Sequence, residues 1–121
     1  MTFKVNGQLL SCLFCSMILQ RVIDILKVDI EYTEWDAFED ALKSDALKNV
    51  KQIATELHVW TDHLKSYVRF HRILVALENA GFEKWLVFPK GSIEAVNQET
   101  GIMTKYQYQL DFGFINLNFL K

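Results

Sequence analysis

Proline occurs once, at position 89, and cysteine twice, at 12 and 15, in a chain of 121 residues. One proline and five glycines exclude a collagen-like repeat or a long linker, and two cysteines cannot build a disulfide framework. Neither charge sign dominates: thirteen Lys and Arg stand against fifteen Asp and Glu, a net charge of −2. That balance leaves no electrostatic footprint for nucleic acid or anionic lipid. No apolar run reaches the ~20 residues needed to span a bilayer. The glycines, at 7, 81, 91, 101 and 113, contain no Gly-x-Gly. What is plentiful is material for a core. Half the chain is hydrophobic, 13 % is aromatic and only 23 % is charged, which excludes disorder and suits one compact domain.

The longest apolar run covers residues 9–19 (LLSCLFCSMIL). Lys4 precedes it as in a signal peptide, but Asn6, Gly7 and Gln8 intervene and no Ala-x-Ala follows, so a buried helix or strand is the expectation. Within it, Cys12 and Cys15 have a CxxC spacing. A zinc site needs a second ligand pair, which is missing, and a redox pair needs a thiol of lowered pKa, which apolar neighbours do not provide. Both cysteines therefore read as small buried hydrophobes. Residues 1–21 are taken as a divergent apolar N-terminal segment, and 22–121 as the organised part.

The organised part predicts strand, helix, strand, helix, strand, loop, long strand. Residues 22–31 (VIDILKVDIE) are β-branched and apolar on both sides, as in a central parallel strand buried on both faces. Thr33 with Asp36 reads as a capping box before a helix whose Trp35, Phe38, Ala41 and Leu42 share one face. Residues 50–60 form a second strand, with Ile53, Thr55, Leu57 and Val59 on one side and Glu56, His58 and Trp60 on the other. A helix over about 62–80 carries Phe70, Ile73, Leu74 and Leu77, and closes on a left-handed Gly81 followed by Phe82. Residues 85–88 (WLVF) are a short strand stopped by Pro89, and 91–101 a loop. In the last strand Tyr106, Tyr108, Leu110 and Phe112 alternate with polar residues, and the apolar phase then passes to Ile115, Leu117 and Phe119. A change of phase requires an inserted residue, so a bulge is expected at Gly113-Phe114. Trp35, Trp60 and Trp85 are expected in the core. Two successive strand–helix units imply a parallel α/β sheet, with the last two strands antiparallel.

The stretch Ile23-Asp24-Ile25-Leu26-Lys27-Val28-Asp29-Ile30-Glu31-Tyr32-Thr33-Glu34-Trp35 resembles the fourth strand and following turn of class I methyltransferases. It is most similar to the methyltransferase-like and FkbM-type families. Residues 47–58 (LKNVKQIATELH) resemble the fifth strand of that fold, and the helix ending LENAGF resembles the one leading into its sixth. Tyr32 departs from the pattern, where many relatives have a turn-tightening glycine. The resemblance implies a partial Rossmann-like sheet and S-adenosyl-L-methionine (AdoMet) as cofactor. It also implies that the Gly-rich loop and ribose-binding acid of the N-terminal half are missing here. On that reading the chain is a methyltransferase-like fragment, inactive alone and unable to hold AdoMet tightly.

Ligands of open parallel sheets bind outside the carboxyl ends of the strands. Asp29 and Glu31 end one strand and His58 ends the next, with Glu56 two residues before it. Asp29, Glu31 and His58 are therefore the candidate catalytic residues, as a general acid/base set. No metal ligand set is assigned, although a small metal-dependent enzyme built on Asp29, Glu31, Glu56 and His58 is one alternative. The other is a binding module that reuses the half-fold. Glu34 reads as a first-turn acid matched to the helix dipole, and His63 and His71 as surface residues. The expected partner is a methyl acceptor of unknown identity, with no nucleic acid and no membrane span. Self-association through the exposed edge of the 22–31 strand is expected if nothing covers it.

Overall fold

The computed structural model describes residues 21–121 except 60 and 62. The expectations for Cys12, Cys15, the 9–19 run, Trp60 and a helix start at Asp62 lie outside the described residues. The elements are β1 (Ile23–Val28), α1 (Glu34–Lys43), a 3-10 turn (Ala46–Asn49), β2 (Val50–His58), α2 (Leu64–Asn79), β3 (Phe82–Val96), β4 (Met103–Asn116) and a second 3-10 turn (Leu117–Phe119). They build a four-stranded sheet in the order β1-β2-β4-β3. β1 and β2 are parallel, and β4 is antiparallel to both of its neighbours, so β3 runs in the same sense as β1 and β2. The expected α/β class and antiparallel last strand are present. The insertion of β4 between β2 and β3 was not expected from the sequence.

Across the sheet Leu26, Ile53 and Phe114 are register partners on three strands, and all three are buried. Trp35, Phe38 and Ala41 of α1 and Ile73 and Leu77 of α2 close on this row as one cluster. These are the stripes set by helical spacing. Trp35 stacks on Phe70 at 4.2 Å between ring centroids, and Arg69 of α2 reaches Asp36 of α1 at 2.6 Å. The second helix closes as its sequence foretells. Gly81 has φ +102° and donates to the Glu78 carbonyl at 2.9 Å, and Phe82 is buried behind it. A Cβ at Gly81 would collide with the Asn118 amide.

Several local expectations are corrected. Thr33 precedes α1 but makes no side-chain cap; its hydroxyl donates instead to the Ile30 carbonyl at 2.6 Å, and Asp36 is engaged by Arg69. β1 lies at an edge of the described sheet rather than its centre, and Ile25 is exposed. Pro89 does not stop β3, and Gly91 does not begin a loop. The strand runs on to Val96 and turns only after it, because β3 is an edge strand with one side free of pairing demands.

The bulge is real but lies on the other strand. β4 pairs with β2 without interruption from Gln109 to Ile115, whereas β3 shifts register between Lys84 and Leu86, opposite Phe114 and Gly113. The extra residue is Trp85. Where β4 has partners on both sides, from Gln109 to Ile115, the extra residues fall on the edge strand; beyond that stretch β4 carries one itself, Tyr108, between the Gly91–Gln109 and Ser92–Gln107 pairs. The apparent phase flip has another cause: β4 ends at Asn116, and Leu117–Phe119 wind into the 3-10 turn. Trp85 is 62 % exposed rather than in the core, and its indole lies over Gly113, where a Cβ would come within 2.8 Å.

Phe114, fully buried and stacked on Phe112, is the sheet's central side chain. Phe114→Ala is expected to cost about 3–5 kcal/mol, measured by urea denaturation.

Candidate functional site

The chain leaves β1 at Val28 and must reverse before α1 begins at Glu34. It does so with two consecutive residues in the left-handed region, Glu31 at φ +52° and Tyr32 at φ +72°. Neither is glycine, and each such residue costs roughly 1–2 kcal/mol. The turn is held by Glu34, whose carboxylate is wholly buried. Its Oε1 accepts the Ile30 backbone N–H at 3.1 Å and lies 2.9 Å from Nδ1 of His58. One oxygen thus joins the end of β1 to the end of β2.

His58 is gripped a second time, because the Trp35 indole N–H donates to its carbonyl at 2.8 Å. With a carboxylate oxygen against Nδ1, the neutral imidazole carries its proton there, and Nε2 is the lone-pair nitrogen. Nε2 lies 3.7 Å from both Glu31 Oε2 and Glu56 Oε1. The Tyr32 ring packs on the imidazole at 4.7 Å, tilted by 43°. The His58 side chain is only 6 % exposed.

Glu56 is claimed by the β3–β4 hairpin. Lys90 donates to its Oε2 at 2.6 Å, Gln109 donates to Oε1, and Lys90 also sits 3.7 Å from Asp111. The hydrogen bond and charge of Lys90 hold the Glu56 carboxyl below its ordinary value, against the opposing effect of burial. The Lys90 ammonium is raised in turn, chiefly by its bond to Glu56.

Of the expected site residues, Glu31 and His58 come together, as does Glu56. Asp29 is half-buried just past β1, and its charge is felt by Lys90. His63 and His71 are exposed. Sequence reasoning missed Glu34 as the partner of His58, although the signal was there: the quoted stretch ends in Glu34-Trp35, the two residues that grip His58. Lys90 and Gln109 carried no local signal. Among the described residues no three of His, Cys, Asp and Glu are placed to hold a metal ion, and no helix is long and apolar enough to cross a membrane.

A profile of the Methyltransferase FkbM domain matches residues 15–84, more than half of the chain. The chain belongs to the FkbM methyltransferase family. No curated protein matches it. Among solved structures, one similar chain is described as an RNA methyltransferase from Pyrococcus horikoshii, 14 % identical, with a TM-score of 0.45. Another is the precorrin-6y C5,15-methyltransferase of Geobacter metallireducens, 8 % identical, with a TM-score of 0.37. The alignments cover 80 % and 81 % of this chain, which spans 46 % of each of those proteins.

A cofactor cradle needs backbone that a ligand can approach closely, which glycine permits. Gly81, Gly91 and Gly113 are closed over by Asn118, Tyr108 and Trp85, and Gly101 lies in the β3–β4 turn. At the first three a ligand cannot approach the backbone, whereas the space at Gly101 is open.

Two outcomes are expected. Glu34→Ala leaves His58 and the Ile30 N–H unpaired and costs about 3–5 kcal/mol, whereas Glu34→Gln, which keeps an acceptor oxygen, costs less in the same denaturant titration. The second concerns pH. With the folded Glu56 carboxyl held below its ordinary 4.5, the unfolded chain binds more protons in the acid range. Glu56 therefore adds stability above about that value and loses it as pH falls through the lowered folded pKa. In Lys90→Met this part of the acid-side slope disappears, which urea midpoints from pH 3 to 7 would show.

Proposed function

We propose that this chain forms the acceptor-facing part of an AdoMet-dependent methyltransferase, with His58 as general base. The observation that carries this reading is the buried Glu34–His58 pair, placed where β1 and β2 end. AdoMet supplies an electrophilic methyl group to the family's reactions; the roles of this chain concern the acceptor. Nε2 of His58 takes a proton from an acceptor hydroxyl or amine as that atom becomes the nucleophile. Glu34 fixes the tautomer that leaves Nε2 free and stabilises the imidazolium that forms, and Glu31 adds a second carboxylate nearby. Glu56 is neutralised by Lys90 and acts as a support for the hairpin rather than as a second base.

The charge around Nε2 supports an acceptor class. Glu31, Glu34 and Glu56 lie around the imidazole, and Lys90 beside them is paired with Glu56 and close to Asp111, which favours an uncharged or cationic acceptor over nucleic acid. Turnover also requires the methyl donor to be held about 3–3.5 Å from the acceptor atom. Gly81, Gly91 and Gly113 are covered by side chains, so none of these three holds the donor.

A binding role receives support from a different observation. β3 exposes Trp85, Leu86, Val87 and Phe88 in succession along a sheet edge, as an interaction surface would. Light scattering of the purified chain tests it, with a concentration-dependent rise in mass expected.

Isothermal titration with AdoMet tests the main reading. No saturable binding in the low micromolar range is expected from this chain, and such binding would overturn the claim that it is inactive alone. In a preparation that does transfer methyl groups, His58→Gln is expected to lower the rate by about 10²–10⁴-fold, the usual worth of a general base. Unchanged turnover would remove His58 from the chemistry.

A further inference from the structure

Among the described residues, Tyr32 is a large side chain beside His58 whose strained position burial does not account for. Its backbone sits at φ +72°, directly after Glu31 at φ +52°, in a region that favours glycine. A bulky residue there is retained only when something offsets the strain. Burial does not, because Tyr32 is 53 % exposed. Its ring contact is with the imidazole of His58, 4.7 Å away. The remaining neighbours of that imidazole are already in place: Glu34 at Nδ1, and Glu31 and Glu56 flanking Nε2. The exposed ring therefore covers one side of the His58 imidazole, and its conformational cost falls on a residue in ring contact with it.

We infer that Tyr32 is a specificity-determining residue whose ring covers His58 and sets the width of the acceptor that can reach Nε2. This rests on the reading of His58 as the base. A slim, terminal hydroxyl or amine passes the ring edge, whereas a nucleophile flanked by bulky substituents does not. The positioning belongs to the ring and not to the phenol hydroxyl, so phenylalanine preserves it and glycine abolishes it. Glycine is also the residue the backbone accepts without strain, so Tyr32→Gly is expected to fold.

The experiment is acylation of histidine in the intact chain by two reagents of different bulk, diethyl pyrocarbonate and di-tert-butyl dicarbonate, followed by mass spectrometry of peptides. His63 and His71, both exposed, serve as internal references. In the wild type His58 is expected to react slowly, and to discriminate against the bulkier reagent more strongly than the reference histidines do. Tyr32→Gly is expected to raise the His58 rate at least tenfold and to bring its reagent preference to that of His71. Tyr32→Phe should match the wild type, and the melting temperature of Tyr32→Gly should equal or exceed it. An unchanged His58 rate in Tyr32→Gly overturns the proposal. So does a rise of equal size in Tyr32→Phe, which would place the effect in the hydroxyl. A melting temperature lowered by several degrees in Tyr32→Gly would mark the ring as structural packing and also overturn it. Neither reagent requires turnover, so failure here is distinct from failure of His58→Gln to slow methyl transfer.

Discussion

The site depends on a single buried oxygen. Oε1 of Glu34 meets the backbone N–H of Ile30, just past β1, and the imidazole that ends β2, two points 28 residues apart in the chain. A fully buried carboxylate is costly unless it is paired, and leaving its partners behind costs more than the pair is worth when intact. The consequence is cooperative. The left-handed turn at Glu31 and Tyr32, the start of α1 and the orientation of His58 stand or fall together, because each relies on the same acceptor. Trp35, the next residue, adds the second grip on His58 and at the same time anchors the core by stacking on Phe70. Packing and chemistry meet in two consecutive residues.

The second organising feature is a division of charge. Three carboxylates approach one imidazole, yet they are not equivalent. Glu34 is enclosed and bonded, Glu31 is exposed, and Glu56 is tied to Lys90 and Gln109. The hairpin therefore does more than complete the sheet. By engaging Glu56 through Lys90 and Gln109 it leaves Glu34 as the carboxylate set against Nδ1 of His58. The strain at Tyr32 fits the same pattern, with conformational cost concentrated beside the His58 imidazole.

The sheet accommodates irregularity at its edge. β4, flanked on both sides, stays in register with β2, while β3 carries the bulge at Trp85, the proline and a glycine under an aromatic ring. An edge strand has fewer bonds to lose, so features that would break a central strand survive there. The price is exposure of Trp85 and Phe88, at 62 % and 59 %.

Much of this was written in local order. The stripes of α1 and α2, the close at Gly81 and the parallel β1–β2 pair follow from side-chain period and glycine geometry, which act over a few residues. Glu31 and His58 could be named as candidates because ligands of such sheets bind outside the strand ends, and the fold brings the two within 3.7 Å. What the sequence could not determine is pairing between distant segments. Whether Asp36 caps its own helix or binds Arg69 depends on which partner the fold brings near. Whether Pro89 ends a strand depends on whether that strand has a neighbour on its second side. A phase change after Gly113 reads alike whether a residue is inserted or the strand gives way to a turn, and here β4 ends at Asn116 while the extra residue, Trp85, sits on β3. The role of Glu34 was decided in the same way. A glutamate in a first helical turn is ordinarily solvated, and it became the keystone of the site only when β2 placed His58 within 2.9 Å of it and the core closed over both. Short-range pattern set the elements, and long-range burial chose the partners.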